Sequence, residues 1–262
     1  AHHAAHALDD GIDGTAFAAL FAPGLAMAFG WHNVFGLALI PLVIVLVAFC
    51  FMAKDAPDAP PPKRFAEYLQ VLKDKDAWWF MFFYAVTFGG FVGLASSLVI
   101  YFNTQYGLDP KMAGYFTAAC VFAGSLVRPI GGNVADRVGG VKSLTVMYVL
   151  AAIFLAIVSF GLPQAWMALA MFVCAMLALG MGNGAVFQLV PQRFRREIGV
   201  MTGLVGMAGG IGGFYLASSL GYSRQLTGSY QLGFLIFAAL ALVALIGLTS
   251  VKTRWRTTWG AP

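Results

Sequence analysis

Eight predominantly apolar stretches run through this chain, at residues 12–30, 34–53, 79–102, 112–135, 143–162, 165–190, 198–220 and 229–251. Each is near the roughly 20 residues a helix needs to cross hydrocarbon. The chain is therefore expected to be an integral membrane protein, all-α, folded as a polytopic membrane helix bundle. Composition agrees, since 60% of residues are hydrophobic and 10% charged, where a soluble domain carries about 25% charged residues. The first stretch is the weakest, because it contains Pro23 and follows a polar start.

Loop charge orients such a bundle, because Lys and Arg accumulate on the cytoplasmic side. One alternating set of loops holds Lys54, Lys63, Arg64, Lys73, Lys75, Arg137, Lys142, Arg193, Arg195, Arg196, Lys252, Arg254 and Arg256, thirteen in all, against two, Lys111 and Arg224, in the other. Both termini are expected in the cytoplasm. The net charge of +5 is then a topology signal. Nucleic-acid binding is not expected, since it would need a basic patch on a folded face.

The sixteenth basic residue, Arg128, lies deep in the stretch 112–135. A lone Arg at a helix centre costs about 2.5–3.5 kcal/mol on insertion scales, so such residues usually face a bundle interior or wet cavity. All eleven acidic residues fall in the first residues, in loops or at segment ends. The nearest, Asp136, is about 12 Å further along a helix. Two readings stand: Arg128 binds an anion, or it snorkels to the nearer membrane surface on its aliphatic stem.

Glycines surround this position. Gly124, Gly131 and Gly132 lie within one turn of Arg128, so another helix can come close beside the guanidinium. Gly199, Gly203, Gly206, Gly210 and Gly213 follow at steps of 4, 3, 4 and 3 on one helix face, a pattern that serves close helix packing or exposes backbone to a ligand. Tyr84 and Phe88, four apart, share a face, either as packing or as pocket lining. Asn183, between Gly182 and Gly184, is a buried amide that needs partners. Three or four glycine-lined helices can thus enclose Arg128, a Tyr hydroxyl and an Asn amide, a site suited to a small monoanion.

Other residues carry less. Cys50, Cys120 and Cys174 stand in apolar spans without CxxC spacing and read as small hydrophobes. His2 and His6, four apart, lack a carboxylate at useful spacing, so no metal or cofactor is expected. The spans hold no nucleophile with a base, and the chain is not expected to be an enzyme. Residues 54–78, with Pro57, Pro60, Pro61 and Pro62 ahead of an amphipathic run at 65–72, read as a linker that separates two spans from six. The acidic start without a basic n-region argues against a signal peptide.

The run from Gly132 through Asp136, Arg137, Gly139 and Gly140 to Lys142 resembles the loop motif of the major facilitator superfamily. Within it, residues 201–214 resemble the second nitrate signature of the nitrate/nitrite porters of the NarK type. Residues 84–89, 128–132 and 182–187 are similar to the same family. The likeness covers 15–262.

That resemblance implies a partial major facilitator fold: 1–53 the end of an N-terminal transmembrane bundle, 54–78 a cytoplasmic linker, 79–262 a C-terminal six-helix bundle. It implies nitrate/nitrite transport by alternating access in the cell inner membrane. Exchange is favoured, with another small anion or proton symport as alternatives and a non-transporting membrane protein as a further one. Arg128 would grip the anion, Tyr84 and Phe88 would line its pocket, Asn183 would join them, and Gly203, Gly206, Gly210 and Gly213 would let helices slide. Asp136 would tie two helix ends. The partners implied are nitrate, nitrite, the lipid bilayer and the missing N-terminal half, which in this family holds a second substrate arginine. Where the family's first signature reads Gly-Asn-x-Gly, this chain has Gly11-Ile12-Asp13-Gly14.

Overall fold

Every apolar stretch read from the sequence is helical, and most of the helices continue into the charged flanks. The computed structural model describes residues 2–53 and 70–260, with side chains from residue 15 onward. Most of the expected linker and amphipathic run therefore lie outside the described residues, as do the side chains of His2, His3, His6 and the Gly11-Ile12-Asp13-Gly14 segment. The helices are α1 (His2–Phe29), α2 (Trp31–Met52), α3 (Lys75–Tyr106), α4 (Pro110–Leu126), α5 (Arg128–Val138), α6 (Gly140–Ser159), α7 (Ala165–Arg193), α8 (Ile198–Thr227) and α9 (Gln231–Trp259). No strand occurs among the described residues.

Seven spans among these are long and apolar enough to cross a membrane, α4 and α5 together making one of 29 residues. The described apolar part of α1, Thr15–Phe29, is shorter. At 32 residues, α3 is about 48 Å long, well beyond the ~30 Å of hydrocarbon. Its charged first turn is thus free to stay outside the apolar layer.

Lipid tails are as apolar as leucine, so helices in a bilayer associate through close fit and not through expulsion of water. The most extensive seam shows this. On α3, Ala85, Gly89 and Gly93 form a row four residues apart and face Gly212, Gly213 and Leu216 of α8. A Cβ added to Gly89 would lie 2.6 Å from the Gly212 backbone, one on Gly93 would lie 2.7 Å from Leu216, and one on Gly212 would overlap the Ala85 carbonyl. There is no room for a methyl group.

Of the two readings open for the periodic glycines, close packing applies to one of the five. Of that row only Gly213 meets α3, where a Cβ would stand 3.0 Å from Val92; Gly199, Gly203, Gly206 and Gly210 have nothing within 4 Å and are exposed. The buried stripe of α8 runs instead through Met201, Val205, Ala208, Gly209, Gly213, Leu216 and Leu220. The small residues of α3 set the contact, which is rotated partway around α8.

Elsewhere α6 packs against α7 and α9, and α1 lies along α4, where a Cβ on Gly114 would come within 2.5 Å of the Ala19 carbonyl. The second helix packs on α1 and buries none of its own residues.

One end of the bundle is clasped by charge. Asp74 caps α3, its carboxylate accepting from the Asp76 amide at 2.8 Å. The Asp76 side chain is only 7% exposed. It accepts from Arg193 Nε at 2.9 Å, from Trp255 Nε1 at 2.8 Å and from Arg254, while Arg193 also reaches Asp74. The first turn of α3 is thereby tied to the last turns of α7 and α9. The sequence reading left Asp76 among residues at segment ends; in the structure it is the buried centre of the clasp.

Asp76→Ala would leave two guanidiniums and an indole without their shared acceptor. Because both arginines are partly exposed, the expected loss of stability is about 1–3 kcal/mol, read as a lower midpoint in detergent thermal unfolding, with Lys73→Ala as the unaffected control. The α8 seam makes a second prediction. Gly212→Ala should lower that midpoint by several degrees, whereas Gly206→Leu, on the open side, should leave it unchanged.

Candidate functional site

Arg128 owes its place to a break in its helix. Proline has no N–H to donate, and its ring crowds the carbonyl four residues back; Pro129 therefore interrupts the ladder at Ser125. The Val127 amide turns back to the Ser125 carbonyl, and α5 restarts at Arg128. The sequence reading took 112–135 as one uninterrupted span, although the Arg-Pro pair was a visible signal of the break. Within α5, Arg128 shares the face of Gly131, Gly132 and Ala135. An open cleft of about 400 Å³, lined by Pro129, Ile130, Asn133, Val134 and Arg137, follows the opposite face.

The seventh helix lies against this break on both sides. A Cβ on Gly180 would overlap the Gly124 carbonyl, one on Gly131 would lie 2.5 Å from Met181 Cα, and one on Gly184 would lie 2.5 Å from the carbonyl oxygen of Arg128 itself. The glycines beside Arg128 thus admit a second helix at backbone contact. Gly132 has only the Gly184 carbonyl near it, 3.9 Å from an added Cβ.

Aromatic rings from α3 surround the guanidinium. Arg128 Cζ stands 4.5 Å from the centre of Phe91 and 5.2 Å from that of Phe88, within the ~6 Å over which a ring face attracts a cation. Phe88 stacks on Tyr84, centres 4.9 Å apart and planes 8° from parallel. Phe187 of α7 meets Tyr84 edge-on at 4.9 Å. Behind the stack is Gly209, where a Cβ would come within 2.7 Å of Phe88 and 2.9 Å of Tyr84. Tyr84 is 4% exposed.

Asn183 stands four residues before Phe187, on the same face of α7, and is 2% exposed. Neither end of its amide has a hydrogen-bond partner among the described residues. Thr87, a neighbouring hydroxyl, is already committed to the Phe83 carbonyl at 3.2 Å. Arg128, Phe88 and Tyr84 therefore converge, and Asn183 stands on the face of α7 that meets Tyr84 through Phe187. Gly203, Gly206 and Gly210 do not join them and face open space.

Phe91, Phe187 and Gly209 complete the cluster and were missed as site residues. The signal for Phe91 was present, since Tyr84, Phe88 and Phe91 stand at helical steps of four and three. In the loop motif, Gly139 takes φ 98°, a conformation only glycine adopts readily, and Gly140 abuts Gln188 and Leu189. Asp136, Arg137 and Lys142 are exposed, and Asp136 pairs with no side chain among the described residues.

The sequence profile described as the Major Facilitator Superfamily matches residues 13–217. The chain is 33% identical over 251 residues to a probable nitrate transporter, NarT, of Staphylococcus carnosus, covering 93% of this chain and 63% of the relative. It is 32% identical over 239 residues to a nitrite extrusion protein of Bacillus subtilis, covering 89% and 59%. A probable nitrate/nitrite antiporter, NarK1, of Thermus thermophilus is 29% identical over 239 residues, covering 83% and 53%. The chain thus spans roughly six-tenths of the length of these curated relatives or less. With the profile match extending over most of its helices, the chain belongs to the Major Facilitator Superfamily.

Proposed function

We propose that this chain forms part of a transporter that exchanges nitrate and nitrite across the cell inner membrane by alternating access. Residues 1–53 are taken as the end of an N-terminal bundle, 54–78 as the cytoplasmic linker and 79–262 as the C-terminal bundle, with the rest of the N-terminal half completing the site. The observation that carries the reading is Arg128, set at a helix break between the faces of Phe88 and Phe91, in a chain whose relatives are named for nitrate and nitrite. A planar guanidinium can present parallel donors to two oxygens of a trigonal anion. Tyr84 and Phe88 narrow the space beside it, and the Asn183 amide supplies a donor at the same depth. Nothing in this process requires a covalent step, so the protein acts as a carrier.

Exchange is favoured over proton symport because the apolar interiors of the spans from α2 onward hold no Asp, Glu or His, the acidic residues Asp9, Asp10 and Asp13 standing in the first half of α1. His32 stands in the first turn of α2, stacked on Trp31, and Asp76 is held in the clasp. Substrate would bind near the bilayer midplane between two halves that rock around it. The open Gly203, Gly206 and Gly210 face of α8 is then the surface along which the other half moves.

Nitrate/nitrite counterflow into proteoliposomes containing the complete transporter tests this reading. Arg128→Lys, which keeps the charge and loses the fork, should raise the nitrate KM at least ~10-fold; unchanged affinity would remove Arg128 from the binding site. Orientation is tested separately. The excess of basic residues at the clasped end supports a cytoplasmic C-terminus, so an alkaline phosphatase fused after Pro262 should be inactive, and a fluorescent protein fused there should fold and fluoresce.

A further inference from the structure

A proline-broken helix is a hinge unless something holds its two parts. In this chain the carrier of the central guanidinium sits directly at such a break, between α4 and α5. The neighbour that spans it is α7, an unbroken helix of 29 residues there. Gly180 touches the α4 side at the Gly124 carbonyl, and Gly184 touches the α5 side at the Arg128 carbonyl oxygen and, 2.6 Å from an added Cβ, at the Gly132 amide. Val127, the residue of the break itself, also leans on α7, its Cγ1 lying 3.0 Å from a Cβ built on Gly180. The contact is backbone to backbone, so the main chain of Arg128 is held against α7.

The same turn of α7 carries Asn183, nine-tenths or more buried, with both amide ends unpartnered among the described residues. One helix therefore packs on the backbone of the cation at Gly184 and, one residue away in sequence, carries a buried polar amide.

We propose that Gly184 is a positioning residue for anion binding: by having no side chain it fixes the spacing between the Arg128 guanidinium and the Asn183 amide. The proposal rests on the reading of Arg128 as the anion grip. A methyl group at position 184 cannot be accommodated by a side-chain swing, because what it meets is the main chain of Arg128 and Gly132. It must push α5 outward and carry the guanidinium away from Asn183.

The test is nitrate/nitrite exchange by the complete transporter in proteoliposomes, with KM and kcat determined separately for folded, monodisperse protein. Gly184→Ala is expected to raise the nitrate KM about 10-fold while kcat falls less than about threefold, the pattern of lost ground-state fit. Gly132→Ala, where a Cβ has ordinary room, should keep KM within about twofold of the wild type. Should Gly184→Ala not fold, Val127→Ala decides, since truncation cannot overpack and loosens the same seam; it should raise KM in the same direction.

A wild-type KM in whichever of the two variants folds would overturn the proposal and leave Gly184 a packing residue, even if less protein is recovered. That result, with the wild type active, leaves the nitrate reading intact. A wild type without nitrate-dependent exchange would overturn both.

Discussion

Backbone contact at glycine is the interaction on which the rest of this structure depends. In hydrocarbon, burying one more leucine against another gains little over burying it against lipid, so helix pairs are selected by how closely their main chains can approach. Three seams meet that demand with glycine on both sides or with glycine against a carbonyl. They are Gly89 against Gly212 between α3 and α8, Gly124 against Gly180 between α4 and α7, and Gly184 against Arg128 between α7 and α5. Each added methyl would fall on main-chain atoms, which cannot swing aside. The positions of the polar groups follow from these seams.

Two charged centres stand at different depths in the bundle. At the basic end, Asp76 gathers Arg193, Arg254 and Trp255 and ties α3, α7 and α9 together. Ten residues back along α7 from Arg193 is Asn183, about 15 Å away, and eight residues along α3 from Asp76 is Tyr84, about 12 Å away. Two of the three helices held by the clasp, α3 and α7, thus also carry the rings and the amide. A displacement of one of them at the clasp is transmitted along a rigid rod to the site. This favours motion of the bundle as one body over motion of its helices against each other.

The helices were legible because their apolar runs are long, and they were read too short because helix does not stop where hydrophobicity does. The stretch 79–102 is a helix from Lys75 to Tyr106, its charged first turn capped by Asp74 and paired with other helix ends. Nothing local in the sequence announces that pairing, since Arg193 and Arg254 are more than 100 residues away in the chain. The convergence of Arg128, Tyr84 and Phe88 could be anticipated from their burial cost and from the family likeness. The break at Pro129, although readable, was overridden by the continuous hydropathy of its span. Phe91 was hidden among 23 phenylalanines, most of which only pack.

The glycine row of α8 shows why periodicity alone does not decide a contact. A surface that packs permanently needs small residues so that two backbones can touch, and a surface that another body must slide across needs them so that nothing catches. Both requirements write the same period into a sequence. What separates them is the partner helix. Opposite Gly209, Gly212 and Gly213 stands the complementary set Ala85, Phe88, Gly89 and Val92, each with atoms that an added Cβ would meet. Opposite Gly199, Gly203, Gly206 and Gly210 there is open space. Two neighbouring stripes on one helix thus carry similar composition and different mechanics, and on the proposed reading the open one carries the movement while the closed one keeps the Tyr84 and Phe88 stack seated beside Arg128.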